Sequence, residues 1–226
     1  CRPADVLSLN PYIVKDRLLK RTLGRTPEML TTRPSLCDPN AIVLVSCYEL
    51  GHQPIGIAQP LGFLEQAGFA PTALDIAVEN FDADRIKQAR FVGISVPMHT
   101  ALRLGVRAAE LIRETNPSCY ICFYGLYASI NAGYLLEQVA DSVIGGEYER
   151  PLVSLMEALE YDLETDEIDG VSRRDRIVGP ALKRLAREAN PFPVPSRRGL
   201  PALDRYARLE RDGRDHTVGY VEASRG

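Results

Sequence analysis

Short apolar runs and amphipathic segments alternate five times over about 120 residues, and this alternation constrains the fold more than any other feature. AIVLVSC, residues 41–47, is an unbroken apolar run, the pattern of a strand covered on both faces. Residues 56–68 then place Ile57, Leu61, Leu64 and Ala67 at helical spacing, and Gly68 ends that helix. TALDIAV provides a second strand and RFVGISV, residues 90–96, a third. ALRLGVRAAELIRETN, residues 101–116, is an amphipathic helix with Leu104, Ala108, Leu111 and Ile112 on one side, stopped by Pro117. CYICFYG (119–125) gives the fourth strand, NAGYLLEQV a short helix capped by Asn131, ADSVIGG (140–146) the fifth strand, and PLVSLMEALEY the next helix. Strands that alternate with helices predict an open parallel sheet with right-handed crossovers. The expected fold is therefore α/β: a Rossmann-like (flavodoxin-like) five-stranded parallel sheet flanked by helices, most simply in the order 2-1-3-4-5, with irregular N- and C-terminal extensions.

The flanks differ in character. Residues 1–40 are punctuated by Pro3, Pro11, Pro27, Pro34 and Pro39 and form an irregular extension, with a short basic helix over residues 14–24. The sheet domain spans 41–160. Residues 161–215 are a linker: acidic YDLETDEIDG, a basic helix over ALKRLAREAN, and the segment PFPVPSRRGLPALDRYARL, whose prolines lack the donors a sheet ladder needs. HTVGYVEA returns to strand-like sequence, so residues 216–226 read as the start of a further domain.

Composition narrows the class. A formal net charge of -3 gives no general attraction to nucleic acid, and the absence of a long unbroken apolar run leaves no expected membrane span. The first residues lack the basic start and apolar core of a signal peptide, and the cysteine usage suits a reducing cytoplasm, the expected location. Cys119 and Cys122 form a CxxC, but inside a strand. A redox pair normally opens a helix, so these read as buried strand thiols.

Ligands of such sheets bind beyond the carboxyl ends of the strands, which here means four loops: SCYELGHQPIG (46–56), SVPMHTA (95–101), YGLYAS (124–129) and IGGEYERPL (144–152). Exposed amides at Gly145 and Gly146 can hold a phosphate; the alternative is a tight turn and a helix start. His52 and His99 lie on loops of neighbouring strands, where each can bind a metal, position a ligand or cap a loop, and a zinc site would need Glu49 as well. Ser95 and Ser129 offer hydroxyls at strand ends. GxGxxG, GxxxxGK[ST] and a GxSxG elbow are all absent, which argues against dinucleotide binding, nucleoside triphosphate hydrolysis and serine-hydrolase chemistry.

Four segments together, SCYELGHQPIGIAQPLGFLEQAGF, FVGISVPMHTA, CFYGLYASIN and DSVIGGEYERPL, resemble the amino-terminal half of cobalamin-binding radical SAM proteins. The likeness covers residues 41–160 and resumes at PVPSRRGLPALDRYARL and GYVEASRG. It implies a Rossmann-type cobalamin domain whose sheet edge takes the corrinoid's nucleotide tail and faces the corrin ring. Matched by position, it implies contacts from Tyr48, Glu49, Gly51 and His52 in the first loop, and from Ser95 and Thr100 after the third strand, where His99 is a further candidate contact by its place on that loop. It implies others from Gly125, Tyr127 and Ser129 after the fourth strand, and from Gly145, Gly146 and Glu147 after the fifth. The sequence departs from methyl-transferring relatives in having ELGHQPIG where they carry DxHxxG, so His52 is not assigned as a cobalt ligand.

The resemblance also implies a [4Fe-4S] cluster held by CxxxCxxC and S-adenosylmethionine bound in a barrel, and none of the five cysteines has that arrangement. In the family the first cluster cysteine follows a strand like GYVEASRG. The expectation is thus a cobalamin-binding portion that ends just before the cluster motif, with a radical SAM barrel as its partner in cis and methyl transfer common in the class. The alternatives are a standalone corrinoid-binding regulatory module, or an unrelated flavodoxin-like domain holding another planar cofactor such as flavin.

Overall fold

The apolar runs do become strands. The computed structural model describes residues 34–165, 167–179 and 192–222. Contacts divide the chain into Cys1–Pro34 and Ser35–Gly226, and the sheet belongs to the second unit. Strands β1 (Ile42–Ser46), β2 (Thr72–Asp75), β3 (Phe91–Ser95), β4 (Tyr120–Tyr124) and β5 (Ser142–Ile144) pair in parallel in the order β2-β1-β3-β4-β5, as expected. A sixth strand, β6 (Val171–Ser172), adds antiparallel beside β5, so the sheet has six strands where five were expected.

Six helices accompany the sheet among the described residues: α1 (Ile55–Gln66), α2 (Ala83–Gln88), α3 (His99–Thr115), α4 (Leu126–Ile130), α5 (Ala132–Gln138) and α6 (Glu149–Glu160). Successive side chains of a strand point to opposite faces, and two cores result. Val43, Val45, Val92, Ile94, Ile121, Phe123 and Val143 pack with α2, α3, α4 and α5. Ile42, Leu44, Phe91, Cys122, Tyr124 and Ile144 pack with α1 and α6. Cys119 and Cys122 are buried, and burial pushes both thiols up to about 12, which fits inert strand cysteines.

Sequence reasoning missed two helices. α2 is six residues long and buries only Ile86, so it shows no apolar period; the Asp82 side chain caps it by accepting from the Arg85 amide at 3.0 Å. α4 occupies what read as a loop. Asn131 was expected to cap α5, but its amide instead donates to the Tyr127 carbonyl at 2.8 Å.

Helix α1 is buried along Ile55–Leu64, and it carries Pro60 inside. Proline has no N–H, so the Gly56 carbonyl one turn earlier loses its helical donor. The buried Tyr124 hydroxyl fills that position, donating to the Gly56 oxygen at 3.0 Å. On the other side of α1 runs an extended strap beginning at Phe192. The Ser196 backbone amide donates to the Ala58 oxygen at 2.8 Å, the Gln59 side-chain amide (Nε2) to Pro193 O at 3.4 Å, and Phe63 meets Phe192 edge to face. A Cβ on Gly62 would stand 2.7 Å from the Val194 oxygen, so the strap lies directly on helix backbone.

The strap continues through a 3-10 turn (Leu203–Arg205) into an exposed hairpin, β7 (Arg208–Arg211) and β8 (Arg214–Thr217), turned by Asp212–Gly213 at φ 54° and 69°. That Asp-Gly pair is a hairpin signal the sequence reading passed over. Of the strand-like run HTVGYVEA, His216 and Thr217 belong to β8, while Gly219–Glu222 lie outside any strand. The basic helices expected over 14–24 and ALKRLAREAN, and the last residues Ala223–Gly226, lie outside the described residues. No described helix is long and apolar enough to cross a membrane.

Candidate functional site

The carboxyl edge of the sheet is divided. Beyond β1 and β2 it is roofed by the strap. The Ala207 amide donates to Gly51 O at 2.9 Å, Gln53 donates to Pro201 O and accepts from Arg197, both at 2.8 Å, and Arg197 donates to Tyr220 O at 2.7 Å. Arg205 reaches the Val78 oxygen at 2.8 Å. His52 stacks on Tyr220, ring centroids 5.5 Å apart and 15° from parallel. A Cβ on Gly51, at φ +76°, would touch that of Ala207 at 3.1 Å.

Under this roof lie acids that the sequence reading did not connect. Asp75, at the end of β2, is 1% exposed and accepts the Tyr206 hydroxyl at 2.9 Å. Glu49 folds back on the start of α1, accepting the Ile55 amide at 2.8 Å and the Gly56 amide at 3.3 Å. It thus caps orphan donors of that helix in place of Pro54, which cannot. A Cβ on Gly56 would come within 2.4 Å of Ser95 Oγ and 3.1 Å of Glu49 Oε2, so Glu49 and Ser95 converge on one glycine below the surface. Tyr48 is half-buried against the core.

Burial is the main force that raises Glu49 to about 7, with Asp75 and Glu222 adding repulsion while the Ile55 and Gly56 amides oppose it. Asp75 is raised too, again mainly by burial. A carboxyl raised on folding binds its proton more tightly in the folded state. Its stabilisation is complete below its ordinary value near 4.5 and is lost as pH rises towards about 7. Urea unfolding midpoints of the wild type should therefore fall between about pH 5 and 8, and Glu49→Gln should flatten part of that fall, by the order of 1 kcal/mol. An unchanged slope in the variant would remove Glu49 from the account.

Beyond β3, β4 and β5 the described residues leave the edge open. His99 and Thr100, at the start of α3, are exposed. Gly125, at φ 108° and ψ 179°, turns the chain into α4, where the Tyr127 amide donates to Val96 O at 3.1 Å and the Ser129 amide to Gly125 O at 3.0 Å. The Tyr127 ring meets His99 edge-on at 6.5 Å. The Gly145 amide, expected to be available to a phosphate, instead donates to Gly170 O at 3.2 Å, beside the antiparallel β6. Gly146 is exposed at φ 69°, and Glu147 is half-buried. His52 and His99 follow neighbouring strands as expected, yet each pairs with its own tyrosine, and the described residues contain no cluster of three or more metal-ligating side chains.

The fold and this edge define a Rossmann-like α/β sheet with a partly roofed carboxyl edge. No protein-family model and no curated protein matches the chain. Solved structures do. The radical S-adenosylmethionine methyltransferase TsrM from Kitasatospora setae, with cobalamin and a [4Fe-4S] cluster bound, superposes with a TM-score of 0.54 at 19% identity, over 69% of this chain and 31% of that one. TsrM with tryptophan and a SAM analogue gives a TM-score of 0.52 at 19% identity, over 62% of this chain and 30% of that one. At such identity the likeness establishes the fold, and the chain spans under a third of the TsrM chains' length.

Proposed function

We propose that this chain binds cobalamin at the carboxyl edge of its sheet, as the cofactor-binding part of a radical SAM enzyme whose reaction class is methyl transfer. The supporting observation is the fold likeness to TsrM, one of whose structures holds cobalamin. The open half of the edge suits the group: it presents exposed Leu126 and Ile130 next to imidazole, hydroxyl and backbone groups, matching a flat corrin with an amide rim. Cobalamin, when bound, supplies a cobalt-held methyl group.

In this reading His99, Thr100, Tyr127, Ser129, Gly146 and Glu147 face the ligand. Gly125 and Gly145 shape the backbone beneath it, and Glu49 and Ser95 fix the start of α1. Tyr48, Gly51 and His52 belong to the first loop, and Gly51 and His52 lie under the strap, so they contribute to a site only as its wall. The test is a titration with hydroxocobalamin, followed by absorbance and by protein-bound cobalt after gel filtration. Retention of about one corrinoid per folded chain is expected; folded protein that retains none overturns the reading.

A further inference from the structure

Two large aliphatic side chains stand exposed together at the open edge. Leu126 is 65% exposed and Ile130 67% exposed, while Ala128 between them is fully buried. Four residues apart, they lie on the same side of α4. The short helix that carries them is firmly held. Gly125 packs against the Val96 backbone, the Tyr127 amide bonds Val96 O, and Asn131 bonds the Tyr127 carbonyl. The pair is thus presented by a braced element that starts where β4 ends.

Its surroundings decide what covers it. Among the described residues the chain's own strap closes the β1–β2 half of the edge and leaves uncovered the half where α4 stands. His99 on α3 meets the Tyr127 ring of α4 edge-on and gives the apolar ledge a polar border, with exposed Thr100 next to it in the chain. A flat ligand with an apolar face and a hydrogen-bonding periphery fits such a ledge. A phosphate or a small polar metabolite does not, since neither would repay exposing two aliphatic side chains.

We infer that Leu126 and Ile130 form the floor on which the corrin macrocycle lies. This rests on the cobalamin reading above and adds ring-contacting residues to it. Covering most of two such side chains accounts for about tenfold or more in affinity.

The experiment compares wild type with the Leu126→Asp/Ile130→Asp double variant, measuring dissociation constants for hydroxocobalamin and for dicyanocobinamide, which lacks the nucleotide tail. Both side chains point to solvent, so the unfolding midpoint should stay within about 2 °C of wild type. Affinity for both corrinoids should fall by at least about tenfold, by a similar factor, because the lost contact is to the ring. If wild type binds both and the folded variant binds both within twofold of it, the ledge is not the floor, while the cobalamin reading stands. A loss for hydroxocobalamin with cobinamide unaffected would place the pair at the tail and also overturn the inference. Wild type that binds neither removes the reading and the inference together. A milder pair, Leu126→Ala/Ile130→Ala, covers the case in which the charged variant does not fold, with a loss of about threefold to tenfold expected for both corrinoids.

Discussion

Gly125→Val should lower the stability of the fold by about 3 kcal/mol or more, with a fall in the thermal midpoint of roughly 10 °C. Two costs combine. The backbone at Gly125 has φ 108° and ψ 179°, a region essentially reserved for glycine. Independently, a Cβ there would lie 2.9 Å from the Val96 oxygen and 3.2 Å from its carbonyl carbon. Both obstacles are main chain in the middle of the sheet edge, so no side-chain rotation relieves them. The same change would tilt α4, and with it Leu126 and Ile130. Circular dichroism melts of the variant give the answer directly, and a fall of less than about 3 °C would mean that the turn relaxes freely.

The second large effect concerns a hydroxyl. Tyr124→Phe should cost about 2 kcal/mol, more than an average hydrogen bond contributes, because it strands a buried carbonyl. Gly56 O has no helical donor, since Pro60 stands where that donor would be, and Tyr124 is fully buried against it. The two changes should therefore interact. In a Pro60→Ala background the new amide can serve Gly56 O, and Tyr124→Phe should then cost about 1 kcal/mol less. Urea unfolding of the four proteins measures the coupling. Strict additivity would show that the tyrosine hydroxyl and the proline are unrelated.

Much of the sheet was legible because its signal is local. AIVLVSC and RFVGISV are too short and too uniformly apolar for surface helices, and they became β1 and β3 at the centre of the sheet. Elements whose sequence carries no period were not legible: α2 buries one side chain, α4 is five residues long behind a glycine, and β6 has two residues. The site was legible only as a set of loops. Their division into roofed and open halves depends on Tyr206 meeting Asp75 and Tyr220 meeting His52, partners more than a hundred residues apart. Nothing in LDRYARL or GHQP announces those partners. Glu49 is a further case: the sequence offered it as a ligand contact or third metal ligand, and its place is fixed by the missing donor of Pro54 and the bare backbone of Gly56.

The two outermost strands also bear on how this protein avoids its own kind. An uncovered strand edge is a template on which another chain can add, and long flat edges invite aggregation. Here β6 has only two residues and leads into a tight Arg173–Arg176 bridge. At the other margin β2 has four, and its outward Ala73 carbonyl is taken by the Arg85 guanidinium at 2.6 Å. The strap passes the same margin, with Gly199 beside the Ala73 amide. A segment that roofs half of the sheet's carboxyl edge thereby also seals a flank of the sheet along which a second molecule could have zipped.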